Sequence, residues 1–320
     1  MIQVSILILA SVLAAAEPTP SPALIVLNKG DNAMAIVNPA NGKVFASIPV
    51  GQNPHEAAVS SDGKLAFSSN MQGNSISVID LAAQKEVHRV ELTNLRAPHG
   101  VYFAEGKLYF TAEGGHSIAR YDPAINKIDW TRDSGANGTH MIVITRDLSK
   151  IFTSNMQSDS VGMFVRAQGE TEYKLTSIPV GKSPEAIAIS PNGKQVWTAT
   201  GGDAHVAVID VSAGTVLETV HVPTQQINRL QFTPDGNRAL LSDSGNGDLI
   251  VMDTASRKEI KRLKVGENCE GILIPPDGSR AYVASERNNF VGVIDLKKLE
   301  LISRIQPGNG PDGLAWAVRR

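Results

Sequence analysis

One pattern recurs every 41 to 45 residues along nearly the whole chain, and a repeat of that length limits the fold more than any single motif does. Four copies end in an aspartate after an apolar pair: "SSNMQGNSISVIDL" (68–81), "TATGGDAHVAVIDV" (198–211), "SDSGNGDLIVMDT" (242–254) and "ASERNNFVGVIDL" (284–296). Each follows a turn and a short apolar run, "SSDGKLAF", "SPNGKQVW", "TPDGNRALL" and "PPDGSRAYV". Weaker copies are "FAEGKLYFTAEGGHSIARYDP" and "TRDLSKIFTSNMQSDSVGMFV". The units start at residues 54, 98, 139, 184, 227, 269 and 311.

Inside a unit the hydrophobic period is two. "EAAVS" is a strand, Asp62-Gly63 a tight hairpin turn and "KLAFSSN" a second strand; "SISVIDL" and "KEVHRVEL" make a third and fourth. No window carries a sustained helical period with caps. The expected fold is all-β: a seven-bladed β-propeller of four-stranded antiparallel blades. Six blades span about 54–97, 98–138, 139–183, 184–226, 227–268 and 269–310. The last segment, 311–320, supplies one strand and residues 23–53 supply three, so pairing of the N-terminal strands with the C-terminal strand closes the ring as blade seven.

Charge and termini narrow the setting. With 30 basic and 32 acidic residues, the net charge of −2 sets up no field toward nucleic acid, and no nucleic-acid partner is expected. Cys269 is the single cysteine and excludes an internal disulfide. Residues 1–16 read as an export signal, with an apolar run ending in Ala14-Ala15-Ala16, and residues 17–22, "EPTPSP", as an extended lead-in. The apolar run is shorter than the ~18 residues that span a bilayer, so no stable membrane span is expected after cleavage. The expected location is periplasmic or secreted.

The segments "AYVASERNNFVGVIDLKKLELISRIQPGNGPDG" and "GKLAFSSNMQGNSISVIDLAAQKEVHRVEL" resemble the YVTN-type propeller repeat, over nearly all of residues 23–320. That resemblance implies the seven-bladed fold and an exported protein. It implies no single function, because the same architecture carries scaffolds, lactonases and metal oxidoreductases.

Function has to come from the channel mouth. Aligning the first residues of the seven inner strands gives a ring of His55, His99, His140, Glu185, Asn228, Glu270 and Asp312, with Arg229 beside it. The adjacent register, at the ends of the second strands, reads Asn28, Asn70, Glu113, Asn155, Thr200, Ser244 and Glu286. Three of the seven histidines thus stand in consecutive blades, followed by a carboxylate. His55, His99 and His140 are the candidate ligands of a transition metal, zinc or copper, with Met71, Met141 and Met156 nearby tilting toward copper. The ligand-binding candidates are Glu185, Asn228, Arg229, Glu270, Asp312, Asn70, Glu113 and Asn155.

Repetition alone also explains a recurring Pro-His pair, so a solvated histidine ring is the plain alternative. Arg229 could orient an anion or pair with Glu270. The remaining histidines (88, 116, 205 and 221) share no register and read as surface residues, Cys269 as a buried hydrophobe, and the opposite, Asp-Gly hairpin face as structural. The expected function is an exported YVTN-like scaffold that binds a small molecule, a cell-envelope component or a protein, with a metal at the mouth. The alternatives are a metal-dependent hydrolase or lactonase, a copper-linked oxidoreductase, or metal-free acid–base catalysis on a small polar substrate such as a lactone.

Overall fold

The computed structural model describes residues 18–170 and 172–320. Seven four-stranded antiparallel sheets stand around one axis, each running from an inner strand on the channel to an outer strand at the rim. The inner strands begin at Pro54, Pro98, Thr139, Pro184, Ile227, Cys269 and Pro311, the residues at which the sequence repeat begins. The seventh sheet is built from both ends of the chain: Pro311–Ala317 pairs with Ala23–Asn28, followed by Ala33–Asn38 and Lys43–Pro49. The only departures from strand and turn among the described residues are two 3-10 turns, Glu113–Gly115 and Met156–Ser158. The segment expected to be an export signal, residues 1–16, lies outside the described residues, and no described helix is long and apolar enough to cross a membrane.

The second and third strands of each blade are buried along nearly their whole length, so a blade is buried on both faces and each face must be covered by the next blade. Seven apolar clusters fill the seven interfaces. One register of the second strand carries the bulk of that packing, in Phe67, Tyr109, Phe152, Trp197, Leu240 and Tyr282. Trp197 is fully buried and meets Phe232 of the next blade edge-on at 5.2 Å. Each such side chain contributes about 1.5–3 kcal/mol on burial.

Polar links also tie the blades together at the inner strands. The hydroxyls of Ser69, Thr111, Ser154 and Ser242 each donate to the backbone carbonyl of the ring residue in the following blade, His99, His140, Glu185 and Glu270, at 2.6–2.7 Å. Each also accepts the N–H of the residue just past the ring in its own blade. The ring is therefore set by backbone braces before its side chains make any contact.

The Pro-rich lead-in, expected as an extended segment, is tied down at two points. Thr19 is buried, its hydroxyl donates to the Leu81 carbonyl, and Ser21 accepts the Arg319 N–H at 3.0 Å. Residues 18–22 thus pack over the seam where the two chain ends meet.

Candidate functional site

Every inner strand breaks register at its ring residue, as at Pro54/Ala57, Thr139/Ile142 and Ile227/Arg229. Such bulges turn a side chain that would lie between sheets toward the axis. They bring His55, His99, His140, Glu185, Asn228, Glu270 and Asp312 together as one contact network at the mouth.

The three imidazoles are stacked. His99 lies 3.7 Å from His140 between ring centres, tilted 29°, and 4.8 Å from His55. Burial, then the neighbouring His140 and His55, hold His99 well below the ordinary imidazole pKa, so it is neutral. His55 is committed at both nitrogens, to Asp312 at 3.1 Å and to Asn53 at 2.9 Å. Nδ1 of His140 lies 3.1 Å from Glu113 Oε2, while its Nε2 is buried without a hydrogen-bond partner, 3.8 Å from Glu185. The Nδ1 of His99 is also unpartnered. Stacked rings aim their nitrogen lone pairs along nearly parallel planes, so they do not converge on one ion. Among the described residues no group of three or more His, Cys, Asp and Glu is placed to hold a metal, and the zinc or copper set of His55, His99 and His140 does not fit this geometry.

Arg229 crosses the channel. Its Nε and Nη2 donate to Glu56 in the first blade and its Nη1 to Asn228, while Glu185 stands 3.7 Å away. Its ion-pair partner is Glu56, where the sequence had offered Glu270. Asn228 instead donates to Glu270, which also accepts from Asn268 at 2.8 Å. Burial, reinforced by Asp312, pushes the Glu270 pKa up to about 8, leaving it a neutral acid near pH 7. Asp312 is fully buried, with Lys29 Nζ at 3.3 Å, and neither of its oxygens receives a well-aligned hydrogen bond. Burial alone would raise its pKa, but Lys29, His55 and Arg229 outweigh it and hold the carboxyl far below the usual range.

The second register of the sequence reading is corrected by one residue in three blades. Pro54, Pro98, Thr139 and Cys269 pair with Asn70, Ala112, Asn155 and Ser285, so Glu113, Ser244 and Glu286 lie one position beyond that register. A slip of one residue reverses the face in a strand. Asn70 and Asn155 are accordingly absent from the mouth. Both are buried within their blades, Asn70 donating to Ser75 and Ser77, Asn155 to Ser160. The register that does reach the mouth contains Lys29, Glu113 and Glu286, and Lys29 bridges Asp312 and Glu286. Sequence reasoning missed Lys29 and Glu56. The pairing of Asn28 with Pro311 across the chain ends would have exposed Lys29, and its place just after His55 would have exposed Glu56. Cys269 sits in an apolar cluster with its thiol pushed up to about 12 by burial, and is inert.

Comparison with known proteins bears on this site. Residues 32–228, more than half of the chain, match the family described as "Lactonase, 7-bladed beta-propeller". A curated relative, Antigen Lp49 of Leptospira interrogans, is 27% identical over 202 residues, covering 56% of this chain and 43% of its own. The chain thus spans less than half the length of that relative. Among solved structures, hydrazine synthase of Kuenenia stuttgartiensis superposes with a TM-score of 0.72 at 20% identity, over 81% of this chain and 88% of that one. A candidate 6-phosphogluconolactonase of Bacteroides uniformis gives 0.75 at 14% identity, over 93% and 99%. At these identities the structural likenesses show the fold alone.

Proposed function

The chain belongs to the lactonase family of seven-bladed β-propellers, and from that premise we propose that its channel mouth hydrolyses a cyclic ester without a metal. The observation that carries this reading is His140. With Glu113 accepting from Nδ1, Nε2 is the ring nitrogen left to take up a proton; it is buried, without a hydrogen-bond partner and 3.8 Å from Glu185 Oε1. A base held in one tautomer by a carboxylate is the arrangement that general-base hydrolysis needs. His140 Nε2 removes a proton from water, whose oxygen bonds to the ester carbonyl carbon. The ring C–O bond then breaks and the same proton goes to the departing alkoxide, giving a hydroxy acid. The Arg229 guanidinium, 3.7 Å from the Glu185 oxygen that faces His140, is the cation nearest the developing oxyanion. Ring side chains other than His55 are each less than a tenth exposed, so a substrate has to open this packing to reach His140.

The test is hydrolysis of a panel of lactones by chelator-treated protein. His140→Ala is expected to lower kcat by about 10²–10⁴-fold, the range of a lost acid–base group, and Glu113→Gln by a smaller factor. Unchanged hydrolysis by His140→Ala, or no hydrolysis by the intact protein, would sink the reading.

A second reading is favoured by the closure of the mouth itself. Side chains packed this closely, with both cations held in ion pairs, suit a rigid scaffold whose face binds a cell-envelope component or another protein, and that reading gains if no lactone is turned over while envelope extract yields a specific partner.

A further inference from the structure

Beside the Glu56–Arg229 bridge, which forms part of its wall, the inner strands line a partly open chamber of about 280 Å³. Its walls combine apolar side chains, chiefly Val143, Ile187, Ile189 and Leu230, with the polar groups of Glu56, Arg229, Tyr102 and Gln231. The side-chain oxygen of Gln231 is taken by the Ile274 N–H at 3.0 Å, and Glu56 and Arg229 are taken by each other. The apolar part of the wall suits an apolar segment of an occupant, since burying it removes both surfaces from water. Tyr102, Ile144 and Ile189 also border a cleft of about 790 Å³ between the third and fourth blades, which opens on the hairpin face. That face, expected to be purely structural, thus carries a cleft that shares three wall residues with the chamber.

The charges at the other end of the chamber act as a filter. Glu56, Glu113, Glu185, Glu286 and Asp312 crowd the mouth, while both of its cations are engaged, Lys29 by Asp312 and Glu286 and Arg229 by Glu56. A phosphorylated or carboxylated substrate would meet these carboxylates with no uncommitted cation in the ring to offset them. An ester carbonyl needs no counter-ion, and it can accept a guanidinium N–H that Glu56 now takes. The chamber and the base are close, because Glu185 Oε1 lies 3.8 Å from His140 Nε2 and 3.7 Å from Arg229 Nη1.

From the chamber and this charge arrangement we propose that the substrate is an uncharged lactone bearing an aliphatic chain, its ring at the Arg229–Glu185–His140 end and its chain in the axial chamber. The proposal rests on the hydrolase reading. At about 30 Å³ for each water-sized group, the chamber takes a chain of roughly six to nine carbons.

The experiment measures kcat/KM for γ-lactones from γ-valerolactone to γ-dodecalactone, with 6-phosphogluconolactone as the charged comparator. The expected rise is up to about fourfold per methylene until the chamber is full, with the phosphorylated lactone turned over more slowly than the alkyl ones. Ala188→Phe, which fills the chamber, should flatten the rise, and Ile187→Ala, which enlarges it, should carry the rise to longer chains; a thermal melt checks that each variant is folded. A flat chain-length profile in the wild type, or a preference for 6-phosphogluconolactone, overturns the proposal while leaving the hydrolase reading standing. The separate arm is calorimetric titration with 5-hexyl-2-pyrrolidinone, a lactam that resists hydrolysis. Binding that Ala188→Phe abolishes supports the chamber even if no lactone is hydrolysed, in which case the hydrolase reading alone fails. Absence of binding to the wild type counts against the chamber.

Discussion

At the scale of single residues the mouth is a network of charges taken out of water, and its ionisation should be visible in stability. Glu270 has its pKa raised to about 8, against about 4.3 in an unfolded chain. Because the folded value is the higher one, its contribution is fully present below about pH 4 and is lost as pH rises through 8. His99 acts in the other sense, since its depressed value costs stability as pH falls below 6.5. The difference in Tm between wild type and Glu270→Gln isolates the glutamate. Wild type is expected to lose at least about 2 °C relative to the variant between pH 5 and pH 8, and a difference that stays constant over that window would refute a neutral Glu270. The residues themselves were partly legible: all seven ring positions came from aligning strand starts. Lys29 was not, because its partner Asp312 lies at the far end of the chain and only ring closure sets their charges 3.3 Å apart.

At the scale of elements, the inner strand and its turn decide how closely neighbouring blades approach the axis. Gly313 follows the ring residue of the closing blade, and a Cβ there would sit against the His55 carbonyl oxygen and the Glu56 backbone. Gly271 has the same relation to the Asp312 carbonyl. Gly313→Ala is therefore expected to destabilise by about 1–3 kcal/mol, the range for overpacking, read as a lower midpoint in denaturant; an unchanged midpoint would show that the blades can part without cost. Turns use a second device. Asn32, Asn74 and Asn289 stand in the left-handed region, with φ of 49°, 44° and 57°, and their side chains accept the N–H at the entry to the next blade. Asparagine tolerates that conformation better than most residues. Such turn residues announce themselves in sequence; close approach between blades does not, because it depends on the curvature of the whole ring.

At the scale of the whole molecule, stability depends on joining the first three strands to the last. Removing residues 311–320 would strip the inner strand from the seventh blade, leave Ala23–Asn28 with an open edge and take away Asp312 and the Ile25–Ala315 contact. The shortened chain is expected to self-associate or fail to fold, because an unpaired hydrophobic edge recruits another strand. Size-exclusion chromatography checks this, and a monomer with wild-type Tm would contradict it. The sequence by itself determined the period, the strand alternation, the blade number and the closure, since all of these are local patterns repeated seven times. It also determined that three histidines share one ring. The tertiary structure alone decided what that ring is. The bulges and the distances across the axis stack the imidazoles where a metal set would have had to converge. They leave Nε2 of His140 without a hydrogen-bond partner, set Arg229 against Glu56 and line a partly open chamber beside that bridge. Those outcomes depend on which residues of different blades face each other across a closed channel, and a separation such as the 173 residues between Glu56 and Arg229 carries no local signal of that meeting.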